Sequence, residues 1–492
     1  MKKLLTLALA ALIAFSASGC GPKNQTGNME DDESKPYEII WYYVGASQKD
    51  SARIEKAVNK YLKDKINATV KLNSMDWGPY AEKMQNIMSS GEKYDIRYVN
   101  SSTYTSDVYK EAYIQLDDLM DKYAPKTKEL LGEDFMNGAR IDGKLYAVQA
   151  NKDKAHHISI CYRKDIADKY GFDMSGIKSI EDMFPIFDEL KAKEPEMYGF
   201  VMDAVSTPLE LEEFFYAGTD VAVMSEKEEG KVLNKYESEE YMNSAKLAHE
   251  MYKKGYIPKD MATLNNAYEL KKQGRAFAYL TQSMVNTFEE MNAAEETKGS
   301  GYVYGEIPLT KPMINTTDTQ GSMMVISNRC ENPVRAMKFI ELVNTDKYLN
   351  NLINFGIEGT DYTKISDNKI APIPNSGYNT IGWQWVFGNT FLNYTIEGED
   401  EDKFKKLDAY NKEATPSKYL GFSPNLESVK IEMTACSNVV SEYNPSICMG
   451  ANDPEVAIPH MLEKLKQAGS EKVIAEVQKQ YNEWKQKVKK ND

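Results

Sequence analysis

The sequence predicts an α/β chain of two lobes, each wound around a mostly parallel sheet, with a helical C-terminal region. Three observations lead there. Strand-like and helix-like runs alternate from Tyr37 onward, the alternation restarts after Tyr162, and 492 residues exceed what one hydrophobic core serves.

The first 36 residues stand outside that fold. Lys2 and Lys3 precede an apolar run over 4–15, then Ser16, Ala17, Ser18, Gly19 and Cys20. A basic start, a short apolar run and small residues make an export signal, and the run is too short to span a bilayer. The placing of Cys20 directly after small residues resembles the lipobox of bacterial lipoproteins, although Ala17 stands where Leu is usual. The signal is therefore expected over 1–19, with a diacylated Cys20 as the new first residue. Residues 20–36 have no apolar periodicity and carry Glu30, Asp31, Asp32 and Glu33 in a row, which predicts a disordered tether.

The fold begins with a strand over 37–44. A helix follows over 51–65, with Ile54, Ala57, Val58, Tyr61 and Leu62 on one face. Next come a strand over 68–72, a helix over 80–88 and a strand over 94–99. Strand-like runs at 143–148 and 158–162 precede helices at 180–193, 239–254 and 267–273. Strands at 276–280 and 323–327 lead to helices at 333–344 and 348–354. After an irregular stretch to about 407, the chain closes with helices at 455–467 and 471–488. An open parallel sheet offers its ligand site beyond the carboxyl ends of its strands, and two facing lobes make a cleft that can close.

Composition narrows the function. Formal charge is −14, and two units more negative once Lys2 and Lys3 leave, so nucleic acid and acidic ligands are disfavoured. Cys161, Cys330, Cys436 and Cys448 are too few for a disulfide framework, with Cys436–Cys448 the one plausible local pair. Tyr outnumbers Phe, 32 to 16, which suits wet clefts and half-buried surfaces alike. Catalytic motifs fail on inspection. The four histidines form no H-E-x-x-H, and Gly421-Phe422-Ser423-Pro424-Asn425 lacks the last glycine of a nucleophile elbow. The segment 138–145 imitates a phosphate loop, but Leu145 stands where a hydroxyl is needed. The acidic run 397–402 lacks the ligand spacing of a calcium loop. No metal, cofactor or catalytic residue is expected.

Several segments together resemble a known family. They are the lipoprotein start, Gly143-Lys144-Leu145-Tyr146-Ala147-Val148, Tyr162-Arg163-Lys164-Asp165, Gly274-Arg275-Ala276-Phe277-Ala278-Tyr279, and the run Asn354-Phe355-Gly356-Ile357-Glu358-Gly359-Thr360-Asp361-Tyr362. In order and spacing they resemble the family 1 extracellular solute-binding proteins of ABC importers, in the branch of large lipoproteins with an extra C-terminal domain of unassigned function. That resemblance implies a two-lobed periplasmic-binding-protein-like fold with hinge crossings, sugar or oligosaccharide ligands, permease and ATPase partners, and no enzymatic activity. It divides the chain into a first lobe (37–150 with about 324–375) and a second lobe (151–323 with about 376–492, including the C-terminal helices). It implies a monomer, lipid-anchored through Cys20 at the outer face of the cytoplasmic membrane.

Sugar sites combine aromatic plates with hydrogen-bonding side chains, so candidates are sought near strand ends. They are Tyr43 after the first strand, Trp77 and Tyr80 after the second, and Asn100, Ser101 and Tyr104 after the third. Asn151 lies at the presumed first crossing, and Gln282 and Ser283 follow the strand at 276. Trp383, Trp385 and Asn389 lie in the late irregular segment. Glu358 and Asp361 suit a packing or capping role as well as a ligand role. A peptide receptor of an importer and a surface glycan-processing enzyme remain the alternatives.

Overall fold

The computed structural model describes residues 31–488 apart from 203–213, 220, 228–229, 261–266 and 381. The first sheet has the order Ala68–Met75, Tyr37–Val44, Ile96–Val99, Met323–Ile326, Ala147–Gln149. Its first three strands are parallel, with Trp41 opposite both Leu72 and Ile96. Ile39, Trp41 and Tyr43 alternate into the first core, where Trp41 packs on Phe339 of helix Pro333–Thr345, and helix Ser51–Ile66 adds its buried Ile54, Val58 and Leu62.

The sheets are mixed, which corrects the expectation of mostly parallel ones. Met323–Ile326 runs antiparallel to both of its neighbours. The reason is topological: the chain leaves the first lobe at the carboxyl ends of its strands and returns through the same end, so the returning strand runs the other way. In the second lobe the order is Tyr304–Pro308, His157–Arg163, Ala276–Ser283, Tyr198–Phe200, and only the last pairing is parallel.

Apolar residues gather into three main cores. One fills the first lobe and a second packs under the sheet of the second lobe. The third joins the antiparallel strands Phe214–Tyr216, Ala222–Ser225 and Val232–Asn234 to the helices Lys430–Cys448, Pro454–Ala468 and Ser470–Val488. The C-terminal region is thus helical with a small sheet borrowed from mid-chain. The expected assignment of the chain from about 376 to the second lobe fails at Tyr378, Val386 and Phe387, which are buried in the first core.

The expected disordered tether stops short of 36. The Asp31 carboxylate receives Arg335 Nε and Nη2 at 2.9 and 2.8 Å and Asn332 Nδ2 at 2.9 Å. Both side chains of the ion pair are buried, 0% exposed for Arg335 and 3% for Asp31. Arg335 Nη1 also donates to the Asn67 carbonyl at 2.6 Å. Residues 31–36 are therefore docked on the first lobe, because a buried guanidinium needs a carboxylate. Burial acts to raise the Asp31 carboxyl, but the hydrogen bonds from Arg335 and Asn332 and the Arg335 charge outweigh it and hold it at about 2.

Asp361 resolves as a packing residue. Arg53 donates to both its oxygens at 2.8 Å, and the Ile357 amide donates to it at 2.8 Å. Cys436 and Cys448 are free thiols on one helix, twelve residues apart, hence about 18 Å along its axis, far beyond disulfide reach.

Candidate functional site

Val44, Met75 and Val99 end the three parallel strands at one edge of the first lobe. Just beyond that edge the structure assembles an aromatic wall. Trp77 opens the helix Trp77–Ser90, which starts three residues before the expected 80, and it is 50% exposed. Its ring lies 5.9 Å from Tyr98 and 6.0 Å from Trp385, and Trp385 lies 6.4 Å from Tyr98. Trp383 stacks on Trp385 at 6.3 Å with planes 22° apart. Trp385 donates its indole N–H to the Gly382 carbonyl at 3.0 Å, which fixes the ring. Tyr98 hydrogen-bonds the Gly321 carbonyl at 3.1 Å, and burial raises its phenol, so it stays a neutral donor.

Beside the wall opens a cavity of about 640 Å³ between helix Trp77–Ser90 and helix Tyr104–Tyr109, lined by Trp77, Tyr98, Asn100 and Ser102 among others. Asn100 accepts hydrogen bonds from the Ser102 amide and hydroxyl. Arg97 and Asp107 at the cavity floor are 3.4 Å apart, and Tyr113 donates to Asp107 at 2.9 Å. Those charges answer one another. A second cavity of about 990 Å³ continues from Ser101, Ser102 and Ser106 toward the C-terminal domain.

Several candidates fall elsewhere. Tyr43 follows the inward alternation of its strand and packs on Trp41 at 4.5 Å. Tyr80 also lines the cavity, but it shares the buried face of its helix with Met84 and Ile87, and its hydroxyl donates to the Tyr98 carbonyl at 2.8 Å. Tyr104 is fully buried and donates to the Ala139 carbonyl. These three hold the core. Ser283 is fully buried, near Glu306, while Gln282 is exposed at the strand end in the second lobe. Glu306 itself accepts from Ser159 and contacts His157 at 2.9 Å; those bonds outweigh the upward push of burial and keep its carboxylate ionised.

Asn151 and Asn389 belong to the hinge. Asn151 Nδ2 donates to Asn389 Oδ1 at 3.0 Å, the Asn151 amide donates to the Gly388 carbonyl at 2.8 Å, and the Thr390 amide donates back to the Asn151 carbonyl at 2.9 Å. Both asparagines are buried. The late segment is seated on helix Lys347–Phe355 by Asn350, Asn351 and Asn354, whose amides reach the carbonyls or side chains of Asn389, Leu392 and Asn393. Gly388 has φ +71°, and a Cβ there would lie 2.8 Å from Val343 and 2.9 Å from Asn350 Nδ2, so the crossing accepts no side chain at that position. Replacing Asn389 by Ala removes the partner of the buried Asn151 amide. The expected result is a loss of about 1–3 kcal/mol in unfolding free energy, measured by urea titration; an unchanged midpoint would refute the hinge role.

Tyr98 was not among the sequence candidates. Its signal was its place two residues before Asn100 at a strand end. Among the described residues, no helix is long and apolar enough to cross a membrane.

Comparison with known proteins bears on the whole chain. Residues 56–359 match the family model for bacterial extracellular solute-binding proteins, and residues 418–486 match a domain of unknown function, DUF3502. A carbohydrate ABC transporter substrate-binding protein of Streptococcus pneumoniae is 30% identical over 489 residues, 98% of each chain. Lipoprotein LipO of Bacillus subtilis is 22% identical over 73% of each chain. Among solved structures, an N-glycan transport solute-binding protein from Streptococcus pneumoniae has a TM-score of 0.81 at 30% identity, covering 91% of this chain and 99% of that one. Its complexes with Man1GlcNAc and Man5GlcNAc score 0.71 and 0.67. By family model, by identity along its length and by its two-lobed fold, the chain belongs to the bacterial extracellular solute-binding proteins.

Proposed function

We propose that the protein captures an oligosaccharide in the groove beyond the first-lobe strand ends and delivers it, uncleaved, to the permease of an ABC importer. The observation that carries this reading is the aromatic wall of Trp77, Tyr98 and Trp385, with half of Trp77 open to solvent. Flat rings present apolar faces to the C–H faces of a pyranose while nearby amides and hydroxyls such as Asn100 and Ser102 bind its hydroxyl groups. The carbohydrate relatives support the same class. Their lower similarity in the two glycan complexes is what lobes that rotate on loading would give. A receptor role without catalysis fits a cavity whose carboxylate, Asp107, is already held by Arg97 and Tyr113.

The protein acts as a monomer at the outer face of the cytoplasmic membrane, held by lipid on Cys20. Isothermal calorimetry against uncharged oligosaccharides and a peptide library tests the assignment. Tight binding of a glycan that is recovered intact supports it. Binding of peptides alone overturns the sugar class, and release of shortened glycan overturns the non-catalytic role.

A further inference from the structure

The second cavity, of about 990 Å³, is walled on one side by the first-lobe residues Ser101, Ser102 and Ser106 and on the other by the C-terminal domain. Ser102, Ser106 and Lys110 line both this cavity and the one beside the aromatic wall, so the two spaces meet along one edge of helix Tyr104–Tyr109. The far wall comes from two separate parts of the chain. Phe215, Tyr216 and Thr219 come from the small sheet and the residues after it, while Ser423, Asn425 and Thr434 come from the start of the C-terminal region. They are brought together by the third core, where Phe215 packs on Tyr419 and Phe422 at 5.7 and 6.0 Å. The small sheet and the C-terminal helices thus make one rigid wall.

The chemistry of that wall is mostly neutral. Hydroxyls and amides dominate, Tyr216 is 36% exposed, and Glu427 and Lys430 are its charged residues, of opposite sign, with Lys110 on the first-lobe side. Tyr216 is held in place from one side, since Lys235 donates to its hydroxyl at 2.9 Å and lies 4.9 Å from its ring centroid. A volume near the upper end of small-molecule sites, added beside a groove that already has its own aromatic wall, exceeds what a disaccharide occupies.

We infer that the C-terminal domain supplies an extension subsite, so that the ligand is a long or branched neutral oligosaccharide whose distal residues lie between helix Tyr104–Tyr109 and Tyr216. This rests on the carbohydrate reading above and adds to it a role for the domain matched at 418–486. The domain then selects for size: a short glycan fills the aromatic groove alone, and a larger one spans both spaces.

The test compares a mannose–N-acetylglucosamine disaccharide with a branched glycan of five mannoses by calorimetry on the full chain. Two variants are used, Tyr216→Ala, which removes the exposed ring, and Thr434→Trp, which fills the cavity from an exposed helix position. Both are expected to weaken the branched glycan about tenfold while the disaccharide changes less than about twofold. Melting temperatures of the two variants verify the fold, and because they lie on different elements a folding defect in one leaves the other informative. Equal effects on both ligands, or no effect on either, overturn the subsite while leaving oligosaccharide capture standing. Failure of the wild-type chain to bind either glycan removes both readings.

Discussion

Trp77→Ala is expected to weaken oligosaccharide binding about thirtyfold or more, with little change in folding stability. The ring is half exposed at the first turn of its helix, so its removal leaves no sealed cavity. Its contribution would come on loading, when a sugar face covers the exposed half and water leaves both surfaces. Central aromatic anchors commonly contribute about 2 kcal/mol or more, which is roughly thirtyfold in Kd. Trp385→Ala should have a similar effect on affinity but also lower stability, since Trp385 is half-buried and stacked on Trp383. The two tryptophans lie 6.0 Å apart and should couple in a double-mutant cycle. Calorimetry with the wild-type ligand checks both. A Trp77→Ala protein that binds within about threefold of wild type would remove the aromatic wall from the site.

Asp31→Ala is expected to destabilise the first lobe by about 3–5 kcal/mol, the usual consequence of stranding one member of a buried ion pair. Arg335 is fully buried, and it would keep only backbone carbonyl partners such as that of Asn67. Asp31→Asn should cost less, because it keeps the shape and an acceptor. Acid should act in the same way. The folded carboxyl is held near 2, below its unfolded value of about 3.9, so its contribution is complete above pH 4 and fades as pH falls toward 2. Urea unfolding from pH 5 down to pH 2 should show wild type losing stability over that window and Asp31→Ala losing less. Parallel pH profiles for the two proteins would refute the docking.

Residue patterns revealed the first lobe more readily than the site. The strand at 37–44 was legible because Ile39, Trp41 and Tyr43 alternate into one core. Helix Glu239–Lys254 was legible from its spacing, with Ser238 capping its start. By contrast Lys430–Cys448 was hidden. It carries Pro445, several Ser, Asn and Thr, and buries little more than Cys436, Asn444, Ile447 and Cys448, so no broad apolar stripe marks it.

Proximity to a strand end located the right edge of the lobe but could not say which way a ring faces. Trp77 and Tyr80 are three residues apart and neighbours on one helix, yet Trp77, at its first position, is half exposed while Tyr80, one turn in, is buried with Met84 and Ile87. The hinge asparagines misled for a related reason. Asn151 and Asn389 look like sugar ligands in isolation, and only tertiary pairing shows that each satisfies the other. The borrowed sheet at 214–234 joins a core more than 180 residues later, a pairing that local patterns do not encode.

The seat of Asp31 on Arg335 also sets a leash length. On the proposed lipid anchor, the chain from Cys20 to Asp31 takes eleven residue steps, which span about 40 Å at most. An anchored receptor would then stay within that distance of the bilayer, measured from the surface that carries Asn332 and Lys338. Undocking residues 31–36 would add about 20 Å to that reach, so the Asp31–Arg335 pair sets how far from the membrane a receptor anchored in this way could hold its cleft.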